Sequence, residues 1–270
     1  MDALLAFKMV PDLDLVTGEM VEGESTAVDT GYLRPIINPD DEGALELALQ
    51  LRDQAEAAGA TLPLSAVSVG GPAADRVLKT LMALRFARAM RLATAEDLTF
   101  RPDMVARDLA DRVRQGGHRL LILGRQSSDG ASGLVPPLVA ASLGWPLIAD
   151  VIDLSYRTDA ALMVTCRRPD GVLRLTLRPP AVLAIADVAA SYLRSPTLKD
   201  RMTHGKRPIE VIDVAEPVAN NAGIAPLQPL PIGYSSSVER RSAVMVDGSD
   251  VAAALSALSA AWRGRGRAGP

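Results

Sequence analysis

Short apolar runs alternate with segments of helical period along the first half of the chain. The runs lie at Leu4–Val10, Leu64–Val69, Ala89–Leu92 and Leu120–Leu123, and each predicts a strand buried on both faces of a sheet. Because parallel neighbours need crossovers, the pattern predicts an α/β fold with a doubly wound, mainly parallel sheet. The predicted helices span residues 38–58, 73–84, 102–115 and 132–143.

Closely spaced apolar runs replace this alternation after the fourth helix. The sequence Pro169-Asp170-Gly171 is typical of a turn between two of them, and the spacing predicts an antiparallel extension of the same sheet. The runs lie at Ile148–Ser155, Ala161–Arg167, Val172–Leu177 and Val182–Ile185.

The chain beyond Asp187 lacks a clear period. Residues 216–236 are rich in proline and predict an extended linker, and Val251–Trp262 predicts a last helix. We therefore expect an α/β domain over residues 1–212 and an extended C-terminal arm with a terminal helix over 213–270. The sequence leaves open whether that helix lies on a partner subunit or on its own domain.

Composition narrows the class of protein. Hydrophobic residues make up 48% of the chain and aromatic residues 3%, with a net charge of −3. A packed core is expected, and a stacking or basic surface for nucleic acid is not. The start of the chain lacks a signal-peptide pattern, and no run approaches the roughly 18 apolar residues of a membrane span. We expect a cytoplasmic protein that is not embedded in a membrane.

A ligand site is predicted at the carboxyl ends of the parallel strands, where loops enter helices. The loop Gly124–Gly133 carries three glycines and three serines ahead of a predicted helix. Two interpretations fit this composition equally: a phosphate on Ser132, Gly133 and Leu134, or a capped loop that binds nothing. Val69-Gly70-Gly71-Pro72 fits an ordinary turn better than a ribose or adenine contact.

Residues for bond chemistry are scarce. His118 and His204 neighbour no nucleophile, and Cys166 lies in an apolar run typical of an inert buried thiol. Asp40, Asp41 and Glu42 fit the first turn of a helix as well as a metal cluster. We predict no catalytic residues and no metal site.

Four motifs, read in order, resemble the beta subunit of electron transfer flavoproteins. Ala6-Phe7-Lys8-Met9-Val10-Pro11-Asp12 resembles the end of that family's first strand, and Ile37–Glu46 resembles its Asn-Pro helix start. Gly124–Gly133 resembles its glycine-rich loop, and Arg194–Met202 its Arg-x-Pro-Ser-Leu segment. The resemblance covers about residues 3–212.

The resemblance implies a universal-stress-protein-like fold that buries AMP in the predicted cleft, beside an FAD held mainly by a larger alpha subunit. It implies a heterodimer that accepts electrons from a flavin-dependent dehydrogenase and delivers them to a membrane quinone oxidoreductase. Leu198 matches the residue that docks such dehydrogenases. The positions implied to contact the nucleotide are Ala6, Asn38, Pro39, Asp40, Asp41, Val69, Gly70, Ser128, Asp129, Gly130, Ala131, Ser132, Gly133, Leu134 and Val135.

Departures from the family pattern keep alternatives open. Ala131 and Leu134 replace polar residues that the family commonly carries, so a scaffold with a vestigial site is one alternative. A bifurcating type with a second FAD in place of AMP is another, and a stand-alone nucleotide-binding sensor is a third. Thr165–Gly171, with two arginines, replaces an acid-rich turn near the flavin.

Overall fold

The central feature of the computed structural model is a nine-stranded sheet flanked by helices. The structure describes residues 2–16, 31–96, 98, 100–157, 161–186, 188–189, 192–214 and 249–265. The strands are β1 (Ala3–Ala6), β2 (Met9–Pro11), β3 (Pro35–Ile37), β4 (Leu64–Val69), β5 (Arg88–Ala93), β6 (Leu120–Gly124), β7 (Leu147–Tyr156), β8 (Leu162–Arg168), β9 (Gly171–Leu177), β10 (Ala181–Ile185) and β11 (Glu210–Asp213). The helices are α1 (Pro39–Ala57), α2 (Asp75–Ala83), α3 (Pro102–Gly116), α4 (Val135–Leu143), α5 (Leu198–Thr203) and α6 (Val251–Arg265).

The strand order of the large sheet is β11-β5-β4-β1-β6-β10-β7-β8-β9. Neighbouring strands from β11 to β7 run parallel. The β7–β8 and β8–β9 pairs are antiparallel. The predicted fold class, a mainly parallel α/β sheet with an antiparallel extension, is therefore confirmed.

Successive residues of β1 belong to separate cores on the two faces of the sheet. Leu5 joins Leu45 and Leu49 of α1 in one apolar cluster, and Leu4 joins Leu109 and Val113 of α3 in the other. The alternation follows from the two-residue period of a strand. Helices thus cover both faces, and all four residues of β1 are buried.

The first apolar run forms two strands and not the single strand predicted. β1 ends at Ala6, and β2 pairs antiparallel with β3 in a separate small sheet. The chain changes direction because the backbone of Lys8 is held by the start of α1. Lys8 N donates to Asp41 Oδ2 at 2.9 Å, and Asn38 N donates to Lys8 O at 2.9 Å. Residues 17–30, between β2 and β3 in the chain, lie outside the described residues.

The fourth run of the predicted extension is not antiparallel. β10 lies between β6 and β7 and runs parallel to both. All five of its residues are buried. A fully apolar run of this kind carries no sign of which strands it will join, so only the tertiary structure could place it.

α4 begins at Val135, three residues later than predicted. Ala131 and Gly133 have φ values of 47° and 60°, which lie outside helical geometry. Pro136 and Pro137 fit the first turn, where their missing N–H groups cost no helical bond. The loop before α4 is therefore longer than the sequence suggested.

The chain after residue 187 is more regular than predicted, since α5 and β11 lie there. β11 extends the sheet by pairing with β5. The chain divides into two compact units, Met1–Ile232 and Gly233–Pro270. Because residues 215–248 lie outside the described part, the predicted boundary at 212 and the linker over 216–236 stay predictions.

Of the second unit, the structure describes residues 249–265. α6 is present where a terminal helix was predicted. Val251, Leu255 and Leu258 are exposed and, at spacings of four and three residues, share one face. Across the described ranges, no helix combines the length and apolar character needed to span a membrane.

Candidate functional site

A cleft lies where the carboxyl ends of β1, β4 and β6 meet. In doubly wound sheets, ligands bind at this edge because strands lead there into helix starts. One wall is the loop from Gly124 to Val135, and a second is the turn at Ala6–Lys8. The third is apolar and is formed by Val67 and Val69 of β4 with residues at the start of α3.

Asn38 ties the start of α1 to the glycine-rich loop. Its side-chain Nδ2 donates to Gln126 O at 2.8 Å, and its Oδ1 accepts from Ser128 N at 2.9 Å. Asparagine is a residue type that often caps the start of a helix. Asn38 does occupy the N-cap position, but its side chain makes no capping hydrogen bond. Both ends of the amide are used to fix the path of the loop.

Asp41 joins α1 to the ends of two strands. Its Oδ1 accepts from Gly124 N at 2.6 Å and its Oδ2 from Lys8 N at 2.9 Å. Burial raises the pKa of Asp41 to about 7, against the lowering effect of hydrogen bonds from Lys8, Gly124 and Asn38. The side chain of Asp41 thus links α1, the end of β6 and the turn after β1 within the protein.

A third tie crosses the mouth of the loop. Lys8 Nζ lies 2.6 Å from Asp129 Oδ2. Partial burial raises the pKa of Asp129, but the hydrogen bonds from Lys8 and Ser127 outweigh it, and the net pKa is lowered. The loop is therefore held by Asn38, Asp41 and Lys8, which all lie at the same edge of the sheet.

Ser132 and Gly133 of this loop line the cleft and carry backbone N–H donors. Ala131 and Gly133 have positive φ, and Leu134 is in the right-handed helical region, an alternation that makes a concave nest of N–H groups. Among the described residues, the N–H groups of Ser132 and Gly133 have no acceptor. Such a nest suits an anion. Pro136 and Pro137 contribute no N–H group, so the donors come from the loop more than from the helix.

The opposite wall is apolar. It carries Val67, Val69, Leu98, Pro102 and Val105. A cleft that combines an apolar wall with a nest of N–H donors suits a ligand with a flat apolar part and an anionic part. An adenine nucleotide has both.

The structure brings nine of the fifteen predicted nucleotide contacts to the cleft and leaves six outside its lining. Those that line it are Ala6, Asn38, Asp41, Val69, Gly130, Ser132, Gly133, Leu134 and Val135. Those that do not are Pro39, Asp40, Gly70, Ser128, Asp129 and Ala131. Of the latter, Ser128 and Asp129 hold the loop through the ties described above. Contact of any of these residues with a nucleotide stays a prediction.

The sequence analysis did not predict the contribution of α3 and of Leu98, which precedes it. Leu98, Pro102, Val105 and Leu109 line the cleft although none was predicted there. A signal was present, since α3 follows β5 as α4 follows β6. Crossover helices that leave the same edge of a parallel sheet begin close together.

A second recess lies at the β8–β9 turn. It is lined by Arg167, Arg168 and Pro169 with Asp150 and Ile152 of β7. Asp150 has a φ of 54° at an irregularity of β7, and its Oδ1 lies 3.5 Å from Arg125 Nε. The two arginines singled out in the sequence are therefore exposed beside a strained acidic residue.

Leu198 lies at the start of α5, outside the cleft. The helix has an N-terminal capping box in which Thr197 accepts from Asp200 N and the Asp200 side chain accepts from Thr197 N. Leu198 is 75% exposed and Met202 is 63% exposed. Leu198 is therefore a surface residue and not part of the apolar core of this chain.

His118 and Cys166 do not line the cleft. Among the described residues, no cluster of three or more His, Cys, Asp or Glu residues could hold a metal ion. His118 is buried, and burial lowers its pKa. Cys166 is fully buried, and burial raises the pKa of its thiol.

Comparison with known proteins identifies the family. Residues 27–217 match the electron transfer flavoprotein domain. The chain is 34% identical over 93% of its length to YgcR of Escherichia coli (strain K12), whose description as an electron transfer flavoprotein subunit is provisional, and it covers 93% of that protein. It is 30% identical to the electron transfer flavoprotein subunit beta of Bacillus subtilis (strain 168), over 71% of this chain and 74% of that one.

The mitochondrial electron transfer flavoprotein subunit beta of Arabidopsis thaliana is 27% identical, over 83% of this chain and 92% of its own. The motifs, the sheet topology and these matches agree with one another. The chain belongs to the electron transfer flavoprotein family, as a subunit of the beta type.

Proposed function

We propose that this chain is the smaller subunit of a heterodimeric electron transfer flavoprotein and binds AMP in the cleft at the ends of β1, β4 and β6. The observation that carries the proposal is that the cleft combines N–H donors left unbonded by the described residues with an apolar wall. Ser132 and Gly133 line the cleft, and their N–H groups have no acceptor among the described residues, while Val69 and Val105 give the same cleft an apolar surface. Phosphate fits the donors and adenine fits the apolar wall.

The cleft fits AMP in a structural role. Asn38, Asp41 and Lys8 already hold the loop through contacts within the protein. A preformed site loses little conformational freedom when its ligand binds. The departures at Ala131 and Leu134 remove side-chain contacts but leave the backbone donors in place. This arrangement favours a bound nucleotide over a vestigial site.

In the proposed electron-carrying role, this chain makes and breaks no covalent bonds itself. The FAD is proposed to lie mainly in the larger alpha subunit and supplies the redox chemistry when bound. This subunit contributes half of the scaffold, the nucleotide cleft and the exposed Leu198. Electrons pass from a flavin-dependent dehydrogenase to a membrane quinone oxidoreductase. The cytoplasmic location is part of the same proposal.

Cofactor analysis tests the proposal. The chain is co-expressed with its large subunit, the complex is purified and denatured, and released FAD and AMP are quantified by chromatography. We expect one FAD and one AMP per heterodimer. Two FAD and no AMP would replace AMP by a second flavin, as in a bifurcating type. A stable monomer without flavin that exchanges ATP would indicate a stand-alone sensor instead.

Docking needs its own test. Leu198→Ala should raise the KM of a dehydrogenase for the heterodimer by about tenfold. The substitution removes most of the apolar surface that an anchor residue buries in its partner. The cofactor content should not change, since Leu198 lies outside the cleft. Leu138→Ala, at a partly exposed leucine of α4, is the matched control. Equal KM values for both variants would overturn docking at Leu198.

A further inference from the structure

The segment that carries α5 is exposed, yet hydrogen bonds at both of its ends attach it to the rest of the protein. We call residues 193–207 the docking segment. α5 has only six residues and none of them is buried. A helix that short has little stability of its own. Leu198 and Met202, four residues apart, nevertheless present one apolar face.

Arg194 fastens the beginning of the docking segment to α1. Its Nη2 donates to Glu46 Oε1 at 2.6 Å and its Nη1 to Asp53 Oδ2 at 2.5 Å. The backbone takes part as well, since Arg194 N donates to Glu46 Oε2 at 3.1 Å and Leu193 N to Glu42 Oε1 at 3.1 Å. One guanidinium and two backbone amides thus span more than two turns of α1.

Glu46 is committed to this contact. Its side chain is 8% exposed. Burial raises the pKa of Glu46, but hydrogen bonds from Arg194 outweigh it, and the net pKa is lowered. A buried carboxylate needs a partner, and the described partners of Glu46 are Arg194 and the amide of Gln50. The packing of α1 therefore favours the attached position of the docking segment.

Arg207 fastens the other end to the last turn of α2 and to the chain that follows it. Its Nη2 donates to Phe86 O at 2.7 Å and to Met82 O at 3.1 Å. Gly205 fits closely against the end of α5, because a Cβ there would lie 2.7 Å from Arg201 O. The segment is thus held at both ends, and its exposed part lies between the two arginines.

We infer that Arg194 and Arg207 are positioning residues that hold α5 as a preformed docking element, so that Leu198 and Met202 enter one pocket of the partner together. The inference rests on the proposed function, because it deepens the docking assigned to Leu198. Its physical reason is entropic. An element ordered before binding does not lose its conformational freedom at the moment of association.

The exposed basic residues of the docking segment indicate what kind of partner surface it fits. Lys199, Arg201 and Lys206 are exposed around the apolar pair. The acidic residue of the helix, Asp200, is occupied by the hydroxyl and backbone of Thr197. The surface therefore fits a dehydrogenase pocket with an apolar floor and an acidic rim. Such charge complementarity acts mainly on the association rate and is weakened by salt.

The test uses the co-expressed heterodimer and the flavin-dependent dehydrogenase that reduces it most rapidly, in steady-state assays that vary the heterodimer. Arg194→Gln leaves Glu46 without its cation, so the double variant Glu46→Gln/Arg194→Gln accompanies it. Arg114→Gln is the control, because Arg114 is an exposed arginine paired with Asp111 on α3. Hydrogen exchange follows the amides of residues 193–207.

We expect both Arg194 variants to raise KM by about fivefold, in line with loss of preorganisation, and to leave kcat and the FAD and AMP contents unchanged. Exchange should increase in the docking segment alone. In a Leu198→Ala background the Arg194 change should add little, because the anchor is already lost. Met202→Ala should raise KM as well.

Two results separate the proposals. If Leu198→Ala raises KM and the Arg194 variants do not, docking stands and the positioning role is overturned. If Leu198→Ala itself has no effect, docking at α5 fails. Self-association of the heterodimer that Leu198→Ala abolishes would assign the surface to a second copy and would also overturn the inference.

Discussion

The carboxylate of Asp41 accepts a hydrogen bond from the backbone N–H of Gly124 at 2.6 Å. The two residues are 83 positions apart, one in the first turn of α1 and the other at the end of β6. A Cβ at Gly124 would lie 2.5 Å from Asp41 Oδ1 and 2.9 Å from Asp41 N. The glycine is therefore required by the close approach of α1, and the contact sets the geometry of the cleft.

Gly124→Ala should destabilise the fold. The methyl group would push Asp41 away from its two donors, and overpacking of this kind lowers the free energy of unfolding by about 1–3 kcal/mol. Denaturant titration measures the change. Gly71→Ala is the matched control, because Gly71 has a φ of −75° and a methyl group added there would meet nothing within 4 Å. Equal unfolding midpoints for the two variants would contradict the prediction.

Asp41→Asn should change the pH dependence of stability. Burial raises the pKa of Asp41 from 3.8 to about 7. Between these values the folded chain holds a proton that the unfolded chain releases. The contribution of Asp41 is therefore full below about pH 4 and is lost as pH rises through about 7.

The free energy of unfolding of the unmodified protein, relative to Asp41→Asn, should fall by about 1.4 kcal/mol per pH unit between pH 5 and 7. It should level off above pH 8. Denaturant titrations of both proteins at pH 5, 6, 7 and 8 provide the measurement. A difference that stays constant, or that grows with pH, would show that Asp41 is already ionised at pH 5.

Asn38 substitutions should separate loop fixation from helix capping. Asn38→Ala removes the partners of Gln126 O and Ser128 N, with an expected loss of about 1–3 kcal/mol. Asn38→Asp keeps a good capping residue but loses the donor to Gln126 O. We expect both variants to lower the midpoint of thermal unfolding. We also expect less nucleotide to remain bound to them after purification. Full stability of Asn38→Asp would instead assign Asn38 a capping role.

The pair Lys8–Asp129 should contribute little to global stability. The side chains are 42% and 20% exposed, and ion pairs of such exposure contribute about 0–1 kcal/mol. A double-mutant cycle with Lys8→Met and Asp129→Asn measures the coupling energy. We expect a small value that decreases at high salt, with faster hydrogen exchange at residues 125–130. A coupling energy of about 3 kcal/mol would instead show that this pair contributes substantially to global stability.

The positions of the strands and helices follow largely from the sequence. Short, largely apolar runs such as Leu64–Val69 and Leu120–Leu123 indicate buried strands, and the helical period between them indicates crossover helices. The resulting parallel sheet fixes which loops share an edge, and the sequence thereby located the cleft at Gly124–Val135.

The sequence could not decide how individual polar groups are used. Asn38, Asp41 and Asp129 have the residue types of ligand contacts, yet their side chains bond Ser128 N, Gly124 N and Lys8 Nζ. These partners come together only when β1, β6 and α1 pack. The same holds for the position of β10 and for the contacts of Arg194 and Arg207. Apolar periodicity is local and is written in the chain, whereas a hydrogen-bond partner many residues away is fixed by tertiary packing alone.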